Sequence, residues 1–263
     1  SVSGAVASGR GDKTITGFEH IFTGNGEDTI VGAAVAETIE SGTGADSIVA
    51  GGGADSVLGG DQNDTIFGGA GNDILDGGNN DDVIYGDVGQ DSLLGNAGND
   101  TLRGGDADDN LDGGAGDDVI FGDAGDDILS GGAGNDSLHG GAGNDTFTHN
   151  AEGTDQYHGD AGDDTLTISQ YSSNVNYHVS FDGGAGIDTV FLADDATTYD
   201  LDDNAYNRFS NIEVIEMTQT NQTLELDSVA VQAFASSDNN AVDNTDYDNK
   251  AVLVISNTGT NNR

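Results

Sequence analysis

Apolar side chains return at a fixed interval of nine along this chain. From Thr23 to Thr148 the sequence divides without a gap into fourteen nine-residue blocks, and the eighth place of every block is apolar. That column reads Ile30, Ile39, Ile48, Val57, Ile66, Leu75, Ile84, Leu93, Leu102, Leu111, Ile120, Leu129, Leu138 and Phe147. The consensus is G-G-x-G-x-D-x-U-x, with U apolar, and its cleanest copies are Gly68–Asp76, Gly113–Phe121, Gly131–His139 and Gly140–Thr148. A helix repeats every 3.6 residues and a strand every two, so neither alone has this period. Three residues x-U-x make a minimal strand with the middle side chain turned inward. The six residues G-G-x-G-x-D then turn the chain, with glycine wherever the backbone needs a positive φ or a close approach. Two repeats complete one coil, so loops eighteen residues apart stack on one edge of an all-β solenoid.

The second locked column is acidic. Place six reads Asp28, Glu37, Asp46, Asp55, Asp64, Asp73, Asp82, Asp91, Asp100, Asp109, Asp118, Asp127, Asp136 and Asp145. This changes how the composition is read. A formal charge of -42, 34% hydrophobic residues and 43 glycines would by themselves suggest a disordered polyanion, since ordinary globular chains are roughly 45–50% apolar. Scattered acidity does not produce columns in register, so the carboxylates are expected to share a cation. Nucleic acid and anionic membranes are poor partners for six basic residues. No apolar run approaches the ~18 residues of a membrane span, and the chain has no Cys for a disulfide.

Stacked loops bring carboxylates and backbone carbonyls together. Hard oxygens in that number suit Ca²⁺, which takes six to eight of them in flexible geometry. Mg²⁺ wants a tight octahedron and retains water. Zn²⁺ wants Cys or clustered His, and the five His residues (20, 139, 149, 158 and 178) do not cluster in sequence.

These blocks resemble the RTX repeats of proteins exported by Gram-negative type I secretion, whose nonapeptide is a calcium-binding signature. The resemblance implies a right-handed parallel β-roll in which the place-six Asp of two stacked loops and the glycine-loop carbonyls hold each ion. Carried onto this chain, it pairs Asp46 with Asp64, Asp55 with Asp73, and so on to Asp127 with Asp145. The implied backbone ligands include Gly68, Gly69, Gly71, Gly113, Gly114, Gly116, Gly131, Gly132, Gly134, Gly140, Gly141 and Gly143. Calcium ions on the order of ten per chain follow. Some copies depart: Gly32–Glu40 lacks the glycines of places two and four and carries Glu37, and Gln62, Asn80 and Asp108 are read as replacing the fourth-place glycine.

Four regions are expected. Residues 1–22 form an N-terminal cap segment and 23–148 the regular roll. Residues 149–191 hold degenerate repeats, with Asp155, Asp164 and Asp188 at place six and an inserted hairpin marked by Val175, Tyr177, Val179 and Phe181. Residues 192–263 form a β-rich C-terminal cap with strands at Asn211–Met217, Thr223–Leu226, Val229–Val231 and Ala251–Ile255. The start without Met reads as a fragment of a longer protein. The segments FSNIEVIEM and GFEHIF are similar to those flanking RTX blocks in giant type I-secreted adhesins.

The expected function is therefore a structural calcium-binding module rather than an enzyme: disordered without calcium, folding outside the cell, and serving type I secretion and surface display of a large adhesin. The alternatives are an accessory module of an exported enzyme or toxin, or a direct ice- or glycan-binding domain. No G-x-S-x-G or H-E-x-x-H occurs in the chain, and place seven is too irregular for an ice-binding Thr ladder. Outward place nine carries a stripe of Val31, Val49, Phe67, Tyr85, Arg103, Phe121 and His139, expected to pack beneath a neighbouring segment unless it docks a surface ligand. Arg10-Gly11-Asp12 matches an integrin-binding tripeptide, which chance often supplies.

Overall fold

A computed structural model of the chain describes residues 4–5, 19–149, 153–169, 178–193, 198–200, 208–217, 223–225 and 254–257. All their regular structure is β-strand. Arg10 to Asp12, Val175, Tyr177, Leu226, Val229–Val231 and residues 251–253 lie outside the described residues.

Successive repeats alternate between two parallel sheets. Ser47–Gly52, Thr65–Ala70, Val83–Val88, Thr101–Asp106, Val119–Ala124 and Ser137–Ala142 lie side by side in a ten-stranded sheet. Thr38–Thr43, Ser56–Asp61, Ile74–Asn79, Ser92–Ala97, Asn110–Ala115 and Ile128–Ala133 belong to a thirteen-stranded one. The register advances by two repeats: Leu93 lies beside Leu111, and Leu102 beside Ile120. This is a parallel β-solenoid, as the period of nine implies.

The strands are longer than expected. From Thr38 to Ala142 each runs for six residues, through places seven, eight, nine, one, two and three, so only places four to six remain to turn the chain. The three-residue strand read from the sequence underestimates them because glycine at place one does not stop the pairing. Place one is buried, and its missing Cβ leaves room for the acid of its own loop. Left-handed backbone falls at places two and four, as at Gly69 (φ 104) and Gly71 (φ 140). Where glycine is absent other residues take its role, most of them Asn or Asp, which tolerate this region best. Asp87, Asn96 and Asp123 do so at place two, and Gln62, Asn80 and Ala107 at place four. Asp108 is thus corrected to place five, on the surface; Ala107, at φ 81, is the residue that replaces the glycine.

The core is a single file. Every place-eight side chain from Ile30 to Phe147 is at most 2% exposed, and together they form one cluster. At about 1.5–3 kcal/mol per buried side chain, one such residue in nine is a thin core. On the outside, place-nine rings stack coil upon coil: Phe67 on Tyr85 at 4.7 Å between centroids, Phe121 on His139 at 5.1 Å, and His139 on His158 at 4.5 Å.

The sheets outlast the motif at both ends. Ile21 lies beside Ile39 before the first block. After the last, Phe209 lies beside Phe181, Ile215 beside Val190 and Ile255 beside Ile215. His178–Asp182 runs parallel to Thr154–Ala161, with Val179 beside Asp155. A two-stranded sheet of Thr198–Asp200 and Thr223–Glu225 completes the described structure.

Candidate metal centre

Place six is the last residue of the three-residue turn, just before the chain re-enters the sheet. The side chain there faces inward, and the 18-residue stacking sets each carboxylate against the loop of the coil before it. The backbone N–H of Asp46 donates to Oδ1 of Asp64 (2.8 Å), that of Asp55 to Asp73 (2.8 Å), and that of Asp109 to Asp127 (2.7 Å). One edge of the roll carries this ladder from Asp28 through Asp46, Asp64, Asp82, Asp100, Asp118 and Asp136 to Asp155. The other carries it from Glu37 through Asp55, Asp73, Asp91, Asp109, Asp127, Asp145 and Asp164 to Asp188.

The second carboxylate oxygen is left over. Among the described residues, Oδ2 of Asp28, Asp46, Asp55, Asp64, Asp73, Asp82, Asp91, Asp100, Asp109, Asp118, Asp127, Asp136, Asp145, Asp164 and Asp188, and Oε2 of Glu37, are buried without a hydrogen-bond partner. A buried polar atom without a partner costs about 1–3 kcal/mol, and more when charged. Repeated along two columns, that cost calls for a positive charge between coils. Burial pushes Glu37, Asp46, Asp55, Asp73 and Asp100 above the usual carboxylate range, and where burial is deepest neighbouring carboxylates add to it. Asp64, Asp82, Asp109, Asp118, Asp145 and Asp188 rise to about 7. Asp91, Asp127, Asp136 and Asp164 rise to about 6.

The place-one glycine shapes the site. A Cβ on Gly113 would lie 2.3 Å from Oδ2 of Asp118 and 2.7 Å from the carbonyl oxygen of Gly131 in the next coil. The same collision recurs at Gly68, with Asp73 and Gly86. Two hard oxygens from adjacent coils thus converge at these glycines, in the space a Cβ would take. The residues fit calcium: ionised carboxylates, carbonyl oxygens and no softer donor. Gly68, Gly113, Gly131 and Gly140 hold place one. The left-handed turns are made by Gly69, Gly71, Gly114, Gly116, Gly132, Gly134, Gly141 and Gly143.

The first coils differ. Thr23 and Ser41 stand at place one, and their hydroxyls donate to the carbonyls of Ser41 (2.8 Å) and Gly59 (2.6 Å). Glu37 folds back to accept from the N–H of Ala33 (2.8 Å).

Three features escaped the sequence reading. Glu213 continues the second column, its Oε2 accepting from the N–H of Asp188 (2.9 Å). The signal was an acid two places before the inward Ile215, masked by the loss of the loop glycines. His149 and Tyr157 flank Asp155 and occupy its Oδ2 at 3.0 and 3.2 Å, which only the folded coil brings together. A second, exposed ladder runs at place five, where Asp117 Oδ1 accepts from the N–H of Asn135 (2.8 Å).

Comparison with known proteins agrees with this geometry. A family model for the RTX calcium-binding nonapeptide repeat (four copies) matches residues 32–66, 58–93, 85–120, 94–129, 121–151 and 151–166, just over half the chain when joined. A search of curated proteins finds no significant match. The repeats, the parallel solenoid and the paired acidic columns place this chain in the RTX calcium-binding nonapeptide-repeat family.

Proposed function

We propose that the chain is an extracellular folding module whose solenoid forms when calcium binds between its coils, and which serves type I secretion and surface display of a large adhesin. The observation that carries this reading is the double column of buried carboxylate oxygens without partners. A core one side chain wide is a weak counterweight to like charges stacked along each edge. Calcium neutralises them and ties neighbouring coils. Binding of an ion to the folded state alone adds about 2.7 kcal/mol per site at 100 times the dissociation constant, and that gain is multiplied over the column. Extracellular modules of this kind bind at about 10⁻⁴–10⁻³ M, far above cytosolic calcium. The chain then stays unfolded inside the cell, passes an export channel, and folds outside. The adhesin role rests on the flanking segments FSNIEVIEM and GFEHIF.

The test is far-UV circular dichroism through a titration from EDTA to 10 mM calcium, with magnesium as control. A cooperative gain of β signal with calcium alone is expected. A chain already fully β in EDTA would leave the acidic columns as a rigid surface and end the switch reading.

A further inference from the structure

The two acidic columns do not end alike. On the second edge the ladder passes from Asp188 to another acid, Glu213. On the first edge it stops at Asp155, because the residue beside Asp155 in the next coil is Val179, which is buried. Among the described residues, an ion at this level has no carboxylate above it.

The side chains around Asp155 differ accordingly. Among the described repeats it is the one place-six acid whose Oδ2 has partners: Nδ1 of His149 at 3.0 Å and the hydroxyl of Tyr157 at 3.2 Å. Nδ1 of His149 also lies 3.1 Å from the Tyr157 hydroxyl, closing a three-membered network. All three side chains are at least 95% buried, so water does not compete. The Tyr157 hydroxyl is the donor of its bond to Asp155 Oδ2. Tyr157 is held edge-on against Phe147 (5.7 Å) and His149 (6.1 Å).

The sequence produces this arrangement in two steps. One residue added after Thr148 lengthens the spacing from Asp136 to Asp155 to nineteen, which makes room for His149. Tyrosine then replaces the aliphatic of place eight, bringing a hydroxyl to the level of the carboxylate. Elsewhere place eight carries no polar atom from Ile30 to Phe147.

We propose that Asp155 is an ion-free terminal rung, at which Tyr157 and His149 give the last carboxylate of the first edge the partners that calcium gives the others. The inference rests on the calcium reading of the columns and refines it: the first edge binds no ion through Asp155, and the roll closes there by its own hydrogen bonds.

Calcium bound per chain, measured by equilibrium dialysis of the full chain at saturating calcium, tests this against two variants. Asp118→Asn, in the middle of the same edge, is expected to lose at least one ion. Asp155→Asn is expected to keep the wild-type count. An equal loss in both overturns the proposal, showing that the network opens and Asp155 ligates. No calcium in the wild type, or no loss in Asp118→Asn, would instead overturn the reading of the columns. Should Asp155→Asn fail to fold, Tyr157→Phe decides by its melting temperature in saturating calcium. Loss of a buried donor should lower it by roughly 2–4 °C. An unchanged or raised value means the hydroxyl only competes with an ion, and sinks the idea.

Discussion

One residue separates two ladders that run along the roll in opposite directions. At place six, the carboxylate reaches back to the N–H of the preceding coil, as Asp136 does to Asp118 (2.9 Å). At place five, the side chain reaches forward to the N–H of the following coil, as Asn99 does to Asp117 (2.8 Å) and Asp126 to Asn144 (2.7 Å). Both use Asp or Asn oxygens on the same kind of donor. The inner ladder is buried and leaves an oxygen without a partner at every rung from Asp28 to Asp188 except Asp155, whereas the outer one is exposed and water completes its bonds. The same side-chain chemistry therefore leaves buried oxygens open to calcium on one side of the backbone and makes a solvent-exposed stitch on the other. Burial, not residue type, decides which.

The largest expected effect separates the two ladders by pH. Ten inner acids of the metal-free roll (Asp64, Asp82, Asp91, Asp109, Asp118, Asp127, Asp136, Asp145, Asp164 and Asp188) sit at about 6 to 7, with burial as the first cause, against an ordinary carboxylate value of 3.8. The folded state therefore binds more protons than the unfolded state between those limits. Stability falls as pH rises through this window and grows as pH drops. In EDTA, β signal by circular dichroism should increase from pH 7.5 to pH 5. In limiting calcium the trend should reverse, since protons compete for the same oxygens. An EDTA sample whose spectrum ignores pH across that window would show that the inner column does not control folding.

Much of this was legible in advance because a solenoid turns sequence distance into spatial distance. A period of nine and two repeats per coil were enough to pair Leu93 with Leu111 and Asp46 with Asp64. What stayed hidden depends on the reach and direction of side chains. The run of Asn72, Asp81, Gln90, Asn99, Asp108 and Asp117 at place five was visible, but not that such residues bond forward. Place-one glycines look like turn residues until the inward carboxylate explains why they extend a strand. Glu213 kept its spacing to Ile215 after the glycines were gone, so a search for the acid–aliphatic pair alone would have found it. The network of His149, Asp155 and Tyr157 depends on a one-residue insertion and a folded coil, and no local pattern announces it.

The middle effect tests the turn both ladders share. Gly116, at place four, has φ 139, and a Cβ there would lie 1.8 Å from the carbonyl oxygen of Gly98 in the coil before. Gly116→Ala must rotate the backbone toward the φ 81 of Ala107 and displace both Asp117 and Asp118. Strain of this kind costs on the order of 1–3 kcal/mol. The melting temperature in saturating calcium should drop by several degrees. Ala107 sets the comparison, because its neighbours Gly89 and Gly125 keep φ near 140 (138 and 143); one strained turn is thus tolerated between two relaxed ones. A fully stable Gly116→Ala would mean that the coil spacing is looser than the stacked carbonyls imply.

The smallest effect is expected on the outer ladder itself. Asp117 Oδ1 accepts from both the N–H (2.8 Å) and the side-chain amide (3.0 Å) of Asn135. Asp117→Ala removes these exposed bonds, and Asn135 turns to water without a buried group being orphaned. A net loss of about 0.5–1.5 kcal/mol is expected, with removal of one like charge from the edge offsetting part of it. The decisive reading is the calcium count, which should stay at the wild-type value while Asp118→Asn, one residue along, lowers it. If Asp117→Ala also releases an ion, the outer oxygens help to hold calcium, and burial alone no longer divides the two ladders.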